Sequence, residues 1–200
     1  MQNTKNIYII LSRSKTPLAR IIQLVTGRFY NHSSLALDES CAVFYSFGRR
    51  NPLRMFPAGF IIEGVDDGFF KFYPDVPIAV YEIPVPADDY TLICQRLAPF
   101  IADPLAYKYS IVNLFYQYFG IAHPLEKEYV CSAFIATILD GIVDTGKEPS
   151  LVYPHDFQAL GYKMVYEGLV GAYTAHYQQK MHGGETLSAQ PLSPPGSDPA

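Results

Sequence analysis

The chain has 200 residues, 49% of them hydrophobic and 17% charged, which is enough apolar material for one substantial core and too much for a disordered chain. Its net charge is −4 and its longest basic cluster is the pair Arg49–Arg50, which argues against a nucleic-acid footprint or a polybasic membrane patch. Cys41, Cys94 and Cys131 stand far apart with no CxxC pair, a spacing that argues against structural zinc and against a disulfide framework and fits reduced thiols in the cytoplasm.

The apolar run over 7–11 is β-branched and aromatic and predicts a buried strand. It is too short for a signal-peptide core or a bilayer span, so no integral membrane segment is expected. Thr16 as N-cap and Pro17 at the first helical position open a helix that Gly27 closes. Alternation over 32–38 predicts a strand with His32, Ser34 and Ala36 on one face and Leu35 and Leu37 on the other. A polar turn over 38–40 leads into a second strand over 41–47, giving an antiparallel hairpin.

The stretch over 48–75 is rich in Gly, Pro and Phe, with one short strand expected over 60–63. A further strand is predicted over 78–84. An amphipathic helix follows over 88–102, with Leu92, Ile93, Leu97 and Phe100 inward. A helix over 110–119 ends at Gly120. The clearest helix runs over 130–142, where Cys131, Phe134, Ile135, Ile138, Leu139 and Ile142 recur at helical spacing. A short helix over 154–160 and a strand over 164–173 complete the pattern. From His182 onward apolar periodicity ends, which predicts a disordered tail. The expected organisation is one domain over 1–181 and a tail over 182–200, in an α+β layout with helices packed on an antiparallel sheet.

Cys131 is the candidate for chemistry. The first-turn N–H groups of a helix lack internal partners and, with the helix dipole, favour an anion. A thiolate there has its pKa lowered, and the same N–H groups suit an oxyanion. A core role competes, because free cysteine is among the most buried residue types and Cys131 lies on the apolar side of its helix. Among the five histidines, His32 stands out because it opens a strand whose neighbours on its face, Ser34 and Ala36, are small enough for a helix to pack closely. A turn-capping role is the alternative. Cys41 and Cys94 lack the helix-start setting.

The segments YNHSSLAL, FYSFGRRNP, YVCSAFIATIL and YPHDF together resemble the permuted branch of the NlpC-like papain-fold superfamily, which includes YiiX-like proteins and lecithin:retinol acyltransferase-like enzymes. In that branch the histidine strand precedes the cysteine helix, the order seen here. The resemblance spans 5–173. It implies a circularly permuted papain-like fold in which Cys131 attacks a carbonyl and His32 takes its proton, through an acyl-enzyme intermediate. It also implies a polar residue on the next strand that orients the histidine: Ser46 first, Tyr45 second. No Asp, Glu, Asn, Gln or His lies over 41–47, a departure from the family pattern; Glu63 or Glu82 would have to reach in from elsewhere. Tyr129 and Ser132 are candidates for the oxyanion hole or substrate binding. The chemistry needs no metal and no cofactor.

Three functions follow. The first is a thiol hydrolase, an amidase, peptidase or esterase acting on a peptide, an amide or an acylated small molecule. The second is an acyltransferase for lipid-like acyl substrates, with FPAGFII and DDGFFKFYP lining an acyl pocket. The third is a non-catalytic binding module that keeps the fold. Oligomeric state is not legible in the sequence.

Overall fold

A computed structural model describes residues 3–14, 27–51, 54 and 56–182. Its centre is an open eight-stranded sheet built from β1 (Thr4–Ser12), β2 (His32–Ala36), β3 (Phe44–Arg49), β4 (Ala58–Glu63), β5 (Pro77–Pro86), β6 (Lys108–Tyr109), β7 (Glu128–Tyr129) and β8 (Lys163–Leu169). The strand order is β7-β6-β4-β3-β2-β1-β5-β8. The helices are α1 (Gly68–Phe72), α2 (Ala87–Ala102), α3 (Ile111–Tyr118), α4 (Cys131–Ile138), α5 (Pro154–Ala159) and α6 (Tyr173–His182).

The unbroken apolar run of β1 has a physical reason. Ile7, Ile9 and Leu11 enter one core cluster, while Tyr8 and Ile10 enter another on the opposite face. A strand covered on both faces gains from apolar residues at every position, so alternation disappears. The first cluster joins Leu35, Phe47 and Phe60 of the sheet to Ile93, Leu97 and Phe100 of α2, to α4, and to Phe157 of α5. The second joins Ala36 and Phe44 to Phe70 of α1, Val170 and Tyr173.

The α+β class holds, with corrections. The sheet is mixed rather than purely antiparallel, because β6 and β7 run parallel through Lys108↔Glu128 and Tyr109↔Tyr129. The second hairpin strand starts at Phe44, not 41, since Cys41 takes φ 49 in the turn. Regular α4 stops at Ile138, short of 142. Gly141 at φ 72 follows, a backbone that favours glycine and ends the helix. Leu92 is half exposed, so the buried stripe of α2 is Ile93, Leu97 and Phe100. Helix α1 lies in the stretch that Gly and Phe composition left unassigned, and Tyr173 begins α6 rather than ending a strand. The helix expected from Thr16 and the tail over 183–200 lie outside the described residues; α6 itself extends through His182.

Candidate active site

Val130 is extended (φ −92, ψ 161) and carries no polar side-chain cap, so the first-turn donors of α4 are left for other acceptors. The sulfur of Cys131 takes that place. The backbone N–H groups of Cys131 and Ser132, and that of Ser33 from β2, lie near enough to ease its ionisation. The Ser33 hydroxyl stands beside the sulfur and makes no hydrogen bond of ordinary geometry. The sulfur is therefore surrounded by donors. Its thiol is nevertheless pushed above the ordinary value, because burial outweighs those donors; Cys131 is only 3% exposed. This reverses the expectation of a lowered thiol pKa drawn from the helix start alone.

His32 and Ser46 meet. His32 Nε2 lies 3.1 Å from Ser46 Oγ, and Ser46 Oγ donates to the Ser33 carbonyl at 2.7 Å. A carbonyl only accepts, so the single hydroxyl proton is committed to it. Nε2 must then donate to Ser46, which leaves Nδ1 as the unprotonated nitrogen. Burial first, and the Arg49 charge second, lower the His32 pKa to about 4, so the ring is neutral at pH 7.

The faces of the sheet are the second correction. Ser12 pairs with His32, and His32 shares its face with Ser34 and Ala36, which belongs to the second cluster. Ser46 shares that face with Phe44. Helix α4 packs on the opposite face, where Phe134 meets Phe47 with ring centroids 5.0 Å apart. The small residues Ser34 and Ala36 thus do not lie beneath the cysteine helix as their size suggested. Sulfur and imidazole approach β2 from different faces.

No contact joins them: His32 interacts with Ser46 and Arg49, Cys131 with Ser33 and Ser132. The β2–β3 ladder is confined to Leu35↔Tyr45 and Ala36↔Phe44. Beyond it, Ser33 turns its N–H to the sulfur and its C=O to Ser46. The imidazole lies along β3, where a Cβ on Gly48 would stand 3.8 Å from His32 Cε1.

The other candidates separate. Ser132 is buried and gives its N–H to the sulfur. Tyr129 joins an aromatic cluster, its ring 5.2 Å from Phe47 and 5.7 Å from Phe100. Tyr45 points away from His32 and stacks on Phe60 at 6.3 Å. Glu63 lies on the His32 face, accepts the Phe69 N–H at 2.9 Å, and is pushed up to about 7 by burial. Glu82 is occupied elsewhere, by Asn6 at 2.8 Å and Lys163 at 3.1 Å. Within YPHDF, Asp156 accepts the Tyr153 N–H at 2.8 Å and caps α5, while His155 stacks on Tyr153. Tyr166 and Tyr173 border His176, and the Tyr116 and His123 rings lie 4.1 Å apart, tilted by 33°.

Sequence reasoning missed Ser33 and Tyr109. The phenol of Tyr109 is held well above its ordinary pKa by burial and then by the nearby Cys131. For Ser33 a signal existed: a small polar residue beside His32 on the leucine face of its strand. For Tyr109, in a two-residue strand, none did. Among the described residues no group of three or more His, Cys, Asp or Glu could hold a metal, and no helix is long and apolar enough to cross a membrane. All three cysteines are free thiols. No protein-family model, curated protein or solved structure matches the chain.

Proposed function

We propose that the chain is a thiol hydrolase of the permuted NlpC-like, papain-fold kind, with Cys131 as nucleophile and His32 as base. The observation that carries this reading is the Ser33 hinge: its N–H faces the Cys131 sulfur while its C=O holds the Ser46 hydroxyl that orients His32. The resting pair is a neutral thiol and a neutral imidazole. As Sγ attacks a carbonyl carbon, the thiol proton passes to Nδ1, a step that requires the His32 side chain to close on the sulfur, because no contact joins the two in the resting structure. The developing oxyanion takes the donors that surround the sulfur, the N–H groups of Cys131 and Ser132, with the Tyr109 hydroxyl beside them. Ser46 keeps accepting from Nε2–H when the ring becomes charged. The imidazolium then protonates the leaving amine or alcohol, and water releases the acyl group from sulfur. The substrate is a peptide, amide or acylated small molecule, and three free thiols suit a cytoplasmic setting. An acyltransferase differs only in the acceptor that replaces water.

The experiment is an intact-mass screen with varied esters and amides. The expected result is an acyl adduct on Cys131 that Cys131→Ala abolishes; an adduct on another residue overturns the assignment. One observation favours a second reading, a non-catalytic binding module: His32 and the cysteine helix lie on opposite faces of the sheet. That reading expects no adduct with any ester or amide.

A further inference from the structure

Helix α3 is built inside out. Its Asn113 and Gln117, one turn apart, are each 4% exposed, while Val112, Phe115 and Tyr118 are 52%, 64% and 56% exposed and Phe119 just beyond is 69% exposed. Helical spacing puts Ile111, Val112, Phe115, Tyr118 and Phe119 on one face. The orientation is fixed by hydrogen bonds on the other. Gln117 Nε2 donates to the Val152 carbonyl at 2.7 Å, Tyr153 donates to the Gln117 carbonyl at 2.9 Å, and Asn113 Nδ2 donates to the Glu128 carbonyl at 3.4 Å, its Oδ1 being buried without a partner. Rotating the helix to hide its phenylalanines would orphan those amides, at a cost larger than the apolar gain for each.

The face is also free of charge. No Asp, Glu, Lys or Arg occurs over 109–125. Other exposed aromatics differ: Phe72 follows Lys71, and Phe56 lies two residues from Arg54. With Phe and Tyr side chains of about 150–250 Å² each, the exposed fractions of the five residues sum to roughly 500 Å², at the top of the range for one patch on a monomer. A specific homodimer needs about 800 Å² from each partner, together with a polar rim. A single convex helix with an uncharged face and tyrosines at its flanks matches the hydrocarbon boundary of a bilayer instead.

We propose that α3 docks the protein on a zwitterionic phospholipid bilayer, with Val112, Phe115 and Phe119 entering the acyl-chain boundary. Attachment is hydrophobic, so it does not depend on anionic lipid. The inference stands independently of the chemistry at Cys131.

The chain contains no tryptophan, so Phe115→Trp installs a sole reporter at the centre of the face. With phosphatidylcholine vesicles its emission shifts to the blue and is quenched by lipids brominated on the acyl chains, at low and high salt alike. The same probe at Phe72→Trp shows neither effect. In flotation, a Phe115→Glu/Phe119→Glu double variant with unchanged circular dichroism loses vesicle-bound protein by roughly tenfold or more relative to wild type. Absence of the shift and of flotation overturns the proposal. So does a blue shift that grows with protein concentration without vesicles, which assigns the face to a second copy of the chain.

Discussion

Two buried thiols show how surroundings, not burial, decide what a cysteine can do. Cys41 and Cys131 are both nearly inaccessible, and burial raises the pKa of both. Around Cys41 the charged neighbours favour the protonated form. Burial first, and then the charges of Asp38 and Glu39, push the thiol up to about 12, outweighing the contact with Tyr173 Oη at 3.5 Å, which lowers it; Tyr173 in turn donates to the Glu39 carbonyl at 2.5 Å. Around Cys131 the neighbours are donors, three backbone N–H groups and a hydroxyl. The first site stabilises a proton on sulfur. The second is lined by donors that would suit negative charge near the sulfur, while burial keeps the resting thiol protonated.

The largest test of that contrast exchanges each thiol in turn. Cys131→Ala should reduce adduct formation and turnover by about a thousandfold or more, whereas Cys41→Ala should leave both within about twofold, read by intact mass and steady-state rates. Acid stability should show the next effect. His32 has a folded pKa of about 4 against 6.5 for the free side chain. Between those values the unfolded chain binds a proton that folded His32 refuses, so acidification from pH 6.5 towards 4 destabilises the fold, by about 3 kcal/mol in full. Glu63 works in the opposite sense. Its carboxyl is raised to about 7, so the stability it contributes grows as pH falls from 7 towards its unfolded value. Urea midpoints of wild type and His32→Gln across this range isolate the histidine part, and their difference should shrink as pH falls.

Smaller effects sharpen the comparison further. Ser46→Ala removes the acceptor that fixes Nε2–H; the acylation rate should fall by about tenfold, and stability by about 1–3 kcal/mol as Nε2–H and the Ser33 carbonyl lose their buried partner. Cys41→Ala should cost about 1–2 kcal/mol of unfolding free energy through lost packing, measured by denaturant titration.

How far the sequence could be read follows the same division between local and long-range physics. The strand at His32 and the helix start at Cys131 were legible, because alternation and helical period are local signals, whereas Ser46 as the partner of His32 came from the family resemblance. Which face of the sheet each would occupy was not. The choice depends on how α4 packs, and Phe134 finds Phe47, Phe60 and Phe100 on the leucine face, where an aromatic cluster outweighs the small-residue surface of Ser34 and Ala36. The sign of the Cys131 shift was hidden for a related reason: donors can be read from a helix start, desolvation only from the finished packing. Helix α3 was legible as a helix, but apolar residues occur all around it, and only the buried amides of Asn113 and Gln117 reveal which way it faces. Tyr109 reaches Cys131 through a two-residue strand whose parallel partner β7 leads directly into α4, a contact no spacing announces.

Hydrolysis at Cys131 requires imidazole and thiol to act on one another from opposite faces of β2, and one rate comparison addresses that directly. Iodoacetamide labelling of each cysteine at pH 7, followed by mass spectrometry, is compared between wild type and His32→Gln, a variant that keeps the bulk and the Ser46 hydrogen bond but has no base. Coupling predicts that Cys131 labels about tenfold or more slowly in the variant while Cys94 is unchanged. Equal rates at Cys131 in the two proteins would contradict it.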